Sequence, residues 1–306
     1  MRVGVVGTGA LGRHHVRILA GLPGAELVGV HDVSATAAEA VAREHGTRAY
    51  ASLDALAGEI EAAVVAVPTL AHAEVGVRLL DRGLHVLVEK PMAASLAEAD
   101  RLLERAGARR PAPVLAVGHV EFYNPAVQAL AGLAIPPRFL EVQRLGVFSP
   151  RSLDVDVILD LMIHDLQILH ALDGSEVAEV RATGIPVLSP RIDIANARVA
   201  LASGCVANLT ASRISAERVR KLRAFLPSRY YSLDYQAQEI RGYRLDAEGA
   251  ARRIVPDDLP VERAEPLKRE LEAFVAACRG GRTPLVDGAR GRQALATALA
   301  VAAAAG

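Results

Sequence analysis

Residues 3–12 read VGVVGTGALG, and this stretch decides the fold of the first part of the chain. Val3–Val6 is a short apolar run that predicts a buried strand. The G-x-G-x-x-G turn that follows it consists of Gly7, Thr8, Gly9, Ala10, Leu11 and Gly12. The first glycine permits a tight turn, the second lets a pyrophosphate approach the backbone, and the third lets helix and strand pack closely. The stretch therefore predicts a strand, a dinucleotide-binding turn and a helix whose N-terminus attracts phosphates.

Asp32 supports the prediction of a dinucleotide site. It lies 20 residues beyond Gly12, at the end of the predicted strand Leu27–Val30. A carboxylate at this position accepts hydrogen bonds from an adenosine ribose. It would also repel the 2′-phosphate of NADP, and the residues directly after it, 33–35, include no arginine to neutralise that phosphate. The expected cofactor is NAD.

Short apolar runs alternate with helical patterns over the first third of the chain. The predicted strands are Val3–Val6, Leu27–Val30, Ala62–Val67, His85–Val88 and Val114–Val117. Apolar strands that alternate with helices of about ten residues are typical of βαβ units, with a parallel sheet that helices cover on both faces. We therefore expect an α/β fold that begins with a Rossmann dinucleotide-binding domain over residues 1–120.

The pattern changes after about residue 120, where polar and apolar residues begin to alternate. The predicted strands are then Phe139–Phe148, Val177–Ile185, Ile192–Leu201, Cys205–Ser212 and Arg220–Phe225, with helices near 155–172, 267–279 and 290–304. This pattern predicts an α+β domain over residues 121–306 with a large open, mostly antiparallel sheet. An open face that is half apolar needs covering, so we expect a homo-oligomer formed through this domain.

The composition excludes several classes of protein. The chain has 306 residues with 35 Lys+Arg and 35 Asp+Glu, so it has no net charge to attract nucleic acid or an acidic membrane surface. Its two cysteines cannot form a disulfide framework, and nothing near them resembles a set of metal ligands. Its apolar runs are shorter than the ~20 residues of a membrane span, and residues 1–2 leave no room for a signal peptide. We expect a cytoplasmic protein without a metal.

Three later motifs carry a family resemblance. They are Val67-Pro68-Thr69 followed by His72, then Glu89-Lys90-Pro91, then Asp160-Leu161-Met162-Ile163-His164-Asp165. Together with the glycine turn they resemble the Gfo/Idh/MocA family of glucose-fructose oxidoreductases, inositol dehydrogenases and rhizopine-catabolism proteins. The resemblance implies an NAD-dependent oxidoreductase that acts on a CH–OH group. It also implies that Pro68, Thr69, His72, Glu89 and Lys90 lie at the cofactor, beside the glycine turn and Asp32.

The same residues suit the oxidation of an alcohol, which needs a base and a group that stabilises the developing alkoxide. Asp160 and His164 are four residues apart, so on a helix they share one face, and the carboxylate can hold the imidazole in one tautomer. Lys90 follows a strand at the edge where doubly wound sheets bind ligands. The resemblance implies His164 as acid and base, Lys90 as the group that polarises the hydroxyl, and Asp160 as a supporting acid.

A closer resemblance is to the UDP-N-acetylglucosamine 3-dehydrogenase branch of this family. It is carried by residues 118–121 and 124–126, Phe148, Arg151-Ser152, and residues 160–165, 192–198 and 207–213. The resemblance implies that a UDP-N-acetylhexosamine is oxidised at its 3-hydroxyl to a 3-keto sugar. It further implies an aminotransferase that consumes this product, in a route to a 2,3-diamino sugar of lipid A. One departure is Phe122-Tyr123, where the resemblance leads us to expect an Arg-Phe pair, and this departure argues against a phosphate contact from the loop.

A basic run offers a separate indication of the substrate. It consists of Arg213, Arg218, Arg220, Lys221, Arg223 and Arg229. Such a cluster binds a diphosphate by charge-assisted hydrogen bonds, although a charge-rich strand is as often a solvated face. The substrate contacts that we predict are Lys90, Arg151, His164, Asn208, Ser212 and Arg213. Two alternatives stay open: a dehydrogenase of another sugar or polyol, such as inositol or UDP-N-acetylglucosaminuronate, and a non-catalytic NAD-dependent sensor.

Overall fold

A computed structural model describes residues 1–148, 155–246, 252–280 and 283–306. These residues form two compact units, of which the first consists of Met1–Val120 and Glu265–Leu295 and the second of Glu121–Ala264 and Ala296–Gly306. The predicted boundary after residue 120 coincides with this division. The segment Glu265–Leu295 differs from the prediction, which placed all of 121–306 in the second domain. Its residues join the first unit because they bury apolar side chains in that unit's core.

The first unit contains a six-stranded parallel sheet with the order β3-β2-β1-β4-β5-β6. The strands are β1 (Arg2–Val6), β2 (Glu26–His31), β3 (Arg48–Ala49), β4 (Ala62–Val65), β5 (His85–Glu89) and β6 (Leu115–Gly118). The order runs outward in both directions from β1 and β4, as in dinucleotide-binding sheets. The predicted Rossmann architecture is confirmed.

Helices connect these strands. They are α1 (Ala10–Leu19), α2 (Ala35–Glu44), α3 (Leu53–Ala57), α4 (Thr69–Asp81) and α5 (Leu96–Gly107). Ser34, Ser52 and Ser95 each accept a hydrogen bond from a backbone N–H in the first turn of the helix that follows, which fixes where α2, α3 and α5 begin.

The core of the first unit also includes a helix from late in the chain, α8 (Pro266–Cys278). Its side chains Leu271 and Phe274 lie in one buried cluster with Val16 of α1 and Val5 of β1. Burial of each such side chain contributes about 2 kcal/mol, so α8 is held to α1 and the sheet by the hydrophobic effect. No local pattern in residues 265–280 indicates this partner.

The second unit contains an eight-stranded sheet with the order β14-β13-β12-β11-β7-β10-β9-β8. Its strands are β7 (Phe139–Leu145), β8 (Val177–Ile185), β9 (Ile194–Leu201), β10 (Val206–Ser212), β11 (Val219–Leu226), β12 (Arg229–Asp234), β13 (Glu239–Asp246) and β14 (Arg253–Pro256). Every pairing is antiparallel except that of β7 with β10. The prediction of a mostly antiparallel sheet is confirmed, although it did not include β12, β13 and β14.

The helices of this unit follow the predicted places with one addition. They are α6 (Pro125–Ala131), a π-helical segment (Ile158–Met162), α7 (Ile163–Asp173) and α9 (Gly288–Ala305), which begins in the first unit. The addition is α6, and Asn124 caps it by accepting a hydrogen bond from the Ala126 N–H. Among the helices of the described residues, none is long and apolar enough to cross a membrane.

The sheet of the second unit has one buried face and one open face. Alternate residues of β7 point to opposite sides, so Leu140 and Val142 are buried, whereas Glu141 and Gln143 are more exposed. The open face is apolar along one row and polar over its middle rows, rather than half apolar throughout. The apolar row crosses seven neighbouring strands and consists of Pro256, Tyr243, Tyr230, Phe225, Phe139, Val206 and Ala200.

Candidate active site

The glycine turn has the geometry that a pyrophosphate requires. Gly7 has a φ of +93°, and a Cβ there would lie 2.4 Å from the Ala66 carbonyl oxygen. A Cβ on Gly12 would lie 1.9 Å from the Gly7 carbonyl oxygen, so no side chain fits between helix and strand. By contrast, a Cβ on Gly9 would meet nothing within 4 Å among the described atoms. Gly9 begins α1 without a side-chain cap, so its open side and the helix N-terminus fit a phosphate group.

Asp32 follows β2 at the side of a cleft of about 500 Å³, which Gly7, Gly9 and Pro68 also line. Its Oδ2 accepts hydrogen bonds from the Thr8 N–H (2.7 Å) and hydroxyl (3.0 Å), and its Oδ1 accepts one from the Ser34 N–H (2.9 Å). Burial alone would raise the pKa of Asp32, but these hydrogen bonds outweigh it and hold the pKa below its ordinary value. The carboxylate is therefore charged at neutral pH, and both of its oxygens can accept hydrogen bonds from ribose hydroxyls.

His72 lies behind the loop that joins β4 to α4 rather than open to the cleft. Its ring is buried, and its two nitrogens lie 2.8 Å from the Pro91 carbonyl oxygen and 2.9 Å from that of Val67. Burial lowers the pKa of His72, so the neutral ring donates to one of the two carbonyls. His72 thus joins the loop that contains Pro68 and Thr69 to the segment after Lys90.

Glu89 ends β5 and is buried beside His15 of α1. Its Oε1 lies 2.6 Å from His15 Nε2, and its Oε2 accepts a hydrogen bond from the Lys90 N–H at 3.2 Å. Burial would raise the pKa of Glu89, but His15 and Lys90 outweigh it and lower the pKa. A Cβ on Gly118 would lie 2.9 Å from this carboxyl group, so the glycine leaves the space that Glu89 fills. Glu89 is held within the protein and orients the start of the segment that carries Lys90.

Lys90 and His119 emerge side by side at the carboxyl edge of the sheet. Glu89 pairs with Gly118 in the register of β5 with β6, so the residues that follow each of them are neighbours. His119 is fully buried, and its pKa is lowered to about 3 by burial and then by the positive charge of Lys90. A neutral histidine therefore lies beside the lysine. The sequence favours a structural role for His119, and only the strand register shows this proximity.

Asp160 and His164 lie at the start of a long buried helix of the second unit. Asp160 is in the π-helical segment and His164 is in the first turn of α7, where its side chain is buried. The sequence predicted one ordinary helix here. The π-helical turn has a wider spacing, but four residues are still about one turn, so the two positions share one side of the helix. Such π-helical turns occur frequently at functional sites.

A buried ionic cluster lies next to His164. Arg144 of β7 donates two hydrogen bonds of 2.7 Å to Asp165 and one of 2.8 Å to Glu121. Tyr235 covers this guanidinium at 4.9 Å and lies 3.3 Å from Asp165, and Arg220 donates to the same Glu121 oxygen at 3.1 Å. The pKa of Arg144 is raised, because Asp165 and Glu121 outweigh the effect of burial. The cluster holds the residue after His164 in place.

Sequence reasoning did not find Arg144 or Tyr235. The available signal was the alternation on β7, where Arg144 is in phase with the buried Leu140 and Val142. An arginine at a core-facing strand position requires acidic partners, because an unpaired buried charge is costly.

Three of the predicted substrate contacts, Asn208, Ser212 and Arg213, have described partners within the second unit. Arg151 lies outside the described residues. Asn208 is on the open face of the sheet, where its side chain accepts a hydrogen bond from Arg198 at 3.0 Å. Ser212 is buried and bonded to Ser215 at 3.0 Å.

Arg213 has a structural environment. Its guanidinium donates to the backbone carbonyls of Val155 and Ile192 and lies 3.4 Å from Asp193. These contacts of Arg213 are all with residues of its own unit, whereas the sequence predicted that Arg213 contacts a diphosphate.

The basic run is also divided by the strand that carries it. On β11, Lys221 and Arg223 point to the open face, where Arg223 pairs with Glu141 at 2.9 Å. Arg220 points the opposite way, to Glu121 and Arg144. Because successive side chains of a strand alternate, adjacent basic residues cannot form one patch.

Comparisons with known proteins identify the family of this chain. Residues 1–119 match the family described as "Oxidoreductase family, NAD-binding Rossmann fold". The UDP-N-acetylglucosamine 3-dehydrogenase of Acidithiobacillus ferrooxidans is 41% identical over an alignment 306 residues long that covers 98% of this chain and 96% of that protein. The chain belongs to the Gfo/Idh/MocA oxidoreductase family.

Solved structures extend the comparison. The structure of UDP-N-acetylglucosamine 3-dehydrogenase GnnA from Acidithiobacillus ferrooxidans has a TM-score of 0.93 and 39% identity, covering 99% of this chain and 97% of that chain. A levoglucosan dehydrogenase in complex with NADH and levoglucosan has a TM-score of 0.85 at 20% identity, and it shows the shared fold. The chain described here is therefore an NAD-binding oxidoreductase, and its glycine turn and Asp32 fit that cofactor.

Proposed function

We propose that this oxidoreductase oxidises the 3-hydroxyl of a UDP-N-acetylhexosamine, converting UDP-N-acetylglucosamine to its 3-keto form. The observation that carries the proposal is full-length similarity, 41% identity over 98% of the chain, to a protein named for that reaction. The motif residues Lys90, Asp160 and His164 are all present, as the chemistry requires.

In the proposed reaction, His164 takes the proton of the 3-hydroxyl as general base. Asp160, on the same side of the helix, orients the imidazole and stabilises its charge after the transfer. Lys90 polarises the hydroxyl and stabilises the developing alkoxide with its ammonium group. When bound, NAD supplies the hydride acceptor.

We propose the following cofactor contacts from the geometry of the first unit and from the family resemblance. The backbone of residues 7–12 would bind the pyrophosphate, with Ala10 and Leu11 contributing N–H groups of the first turn of α1. Asp32 would bind the adenosine ribose, and Pro68 and Thr69 would lie at the nicotinamide ribose. His72 and Glu89 would act by holding the loops that carry these residues and Lys90.

For the diphosphate we propose Arg220. It shares one Glu121 oxygen with the buried Arg144, and burial together with the positive charge of Arg144 lowers the pKa of Arg220, so a further anion would stabilise its charge. Its side chain is about one-third exposed (34%), so it can donate to a ligand without losing Glu121. Arg151 stays a candidate from the family resemblance alone.

The wider setting is part of the same proposal. A 3-keto sugar nucleotide is a substrate for an aminotransferase, which would supply a 2,3-diamino sugar for lipid A in the cytoplasm.

The open sheet face would pair with a second copy of this chain. That face carries both signs of charge, with Arg181 and Arg241 on one row and Asp234 and Glu239 on the next. Such a face can be self-complementary about a two-fold axis.

The first prediction concerns the substrate and the two opposed arginines. NADH formation is measured with UDP-N-acetylglucosamine, UDP-N-acetylglucosaminuronate and inositol, with an aminotransferase present to remove the 3-keto product. We expect activity with UDP-N-acetylglucosamine. His164→Ala should lower kcat by a factor of about 10²–10⁴, because the general base is lost. Arg220→Gln should raise KM about tenfold or more, because a hydrogen bond to the diphosphate is lost. Arg223→Gln, three residues along the same strand on the opposite face, is the matched control and should keep the wild-type KM.

Activity on inositol with none on UDP-sugars would contradict the substrate assignment. Turnover of no substrate, together with normal NAD binding and a cellular phenotype that His164→Ala leaves intact, would favour the sensor.

A further inference from the structure

Glu270 is a fully buried carboxyl group that the proposed reaction does not use. It lies on α8, is 1% exposed, and neither of its oxygens has a hydrogen-bond partner among the described residues. The next residue, Leu271, is packed in the core of the first unit with Val16 of α1. A buried carboxylate without a partner is costly, so the protonation state of Glu270 has to be accounted for.

Its charged neighbour is Glu89, the residue before Lys90. His15, which precedes Val16 on α1, holds Glu89 at 2.6 Å, and the Lys90 N–H donates to the other Glu89 oxygen. Two carboxyl groups that share a dry site cannot both ionise without a large repulsion. Glu89 has the partners that stabilise a negative charge, whereas Glu270 has none among the described residues. The proton therefore belongs on Glu270, whose pKa is raised by burial and by the charge of Glu89.

We propose that Glu270 is a positioning residue of the active site, which as a neutral acid leaves Glu89 as the single buried anion behind Lys90. A second anion would attract the ammonium group towards the protein interior and weaken its effect on the substrate hydroxyl. The other titratable groups around this pair are His15 of α1, His72 of α4 and His119 after β6. The role at Lys90 rests on the proposed function, but the protonated state of Glu270 does not.

The first test is the stability of the protein without ligand. An acid whose folded pKa is raised loses stability as the pH rises above its ordinary value of 4.5, because only the unfolded chain then releases the proton. Glu270→Gln is a neutral isostere that removes this loss. We expect its Tm to equal the wild-type value near pH 5 and to exceed it by about 2–4 °C near pH 8. Glu272→Gln, an exposed residue of the same helix that pairs with Lys268, should show no such difference.

A spectroscopic readout tests the proton directly. The infrared spectrum of the wild-type protein at neutral pH should contain the carbonyl stretch of a protonated carboxyl group. This band should be absent from the spectrum of Glu270→Gln and present in that of Glu272→Gln. Absence of the band in the wild-type protein, or a Tm for Glu270→Gln that falls at every pH, would overturn the proposal.

Kinetics then test the link to Lys90. Glu270→Gln should keep kcat within about twofold, and the alkaline fall of its pH profile should move to higher pH. NAD affinity, measured by calorimetry, should be unchanged. A tenfold loss of kcat with an unchanged pH profile would refute the positioning role. If no sugar nucleotide is turned over, the stability and infrared results still decide the state of Glu270, so the two proposals fail separately.

Discussion

The three glycines in the turn after β1 have different physical roles, although all three belong to the same G-x-G-x-x-G motif. Gly12 has no space for a Cβ because the Gly7 carbonyl would be 1.9 Å away, and Gly7 has the left-handed φ of +93°. Gly9 has an ordinary φ of −67° and open space around its Cα. Gly7 and Gly12 are therefore needed to fold the turn, whereas Gly9 is needed only when a ligand approaches.

The second prediction compares Gly9→Ala with Gly12→Ala. A methyl group on Gly9 points into open space, so the Tm should stay at the wild-type value while the Kd for NAD rises about tenfold or more. A methyl group on Gly12 forces helix and strand apart, so stability should fall by about 1–3 kcal/mol together with NAD binding. Thermal unfolding and calorimetry check both. Wild-type NAD affinity in Gly9→Ala would show that the pyrophosphate does not approach there.

At the scale of elements, a single carboxylate shapes the loop between β8 and β9. Asp193 is fully buried and accepts hydrogen bonds from the N–H groups of Val187, Leu188 and Ser189 at 2.9, 2.7 and 2.9 Å. The loop is therefore ordered although Val187 and Leu188 are exposed. Burial would raise the pKa of Asp193, but these bonds and the Ser189 hydroxyl outweigh it and lower the pKa to about 2.

The third prediction follows from the sign of this shift. Because the folded pKa is below the ordinary 3.8, the stabilisation is complete above pH 3.8 and is lost as the pH falls towards about 2. Asp193→Asn should lower the free energy of unfolding by about 1–3 kcal/mol at neutral pH and flatten the acid side of the stability profile. Asp234→Asn, at the end of β12, removes a carboxylate that is only partly buried; it is the control and should leave that slope unchanged. An unaltered slope in Asp193→Asn would contradict the assignment.

At the scale of the whole molecule, the open face of the eight-stranded sheet points to self-association. Its apolar row contains Phe139, Phe225 and Tyr230, whose ring centroids lie 5.5 and 5.1 Å apart along the row. Phe225 and Tyr243 remain 37% and 51% exposed. A continuous apolar row with charged rows beside it is typical of an interface.

The fourth prediction is that the chain forms a homo-oligomer through this row. Light scattering should give a dimer or tetramer for the wild-type protein and a monomer for Phe225→Glu combined with Tyr230→Glu. Leu70→Glu, at an exposed apolar position (82%) of the first unit, should keep the wild-type mass. A wild-type monomer at working concentration would rule out this use of the face.

Local signals in the sequence determined a large part of the protein. The glycine spacing, Asp32 and the apolar runs predicted the Rossmann unit, because each depends on neighbours within about one strand and one helix. The Glu89-Lys90-Pro91 and Asp160–Asp165 motifs identified the family, because each is a short run of consecutive residues. The alternation of polar and apolar residues over Ile192–Leu201 and Cys205–Ser212 likewise predicted β9 and β10, which form an antiparallel pair.

Only the tertiary structure shows which residues that are distant in the sequence lie next to one another. Strand register places His119 beside Lys90, and the contact between β7 and α7 joins Arg144 to Asp165. Only the packing of α8 brings Glu270 to Glu89, which is 181 residues earlier in the numbering. These pairs have no sequence signature, because burial and charge pairing depend on which surfaces meet and not on which residues are consecutive.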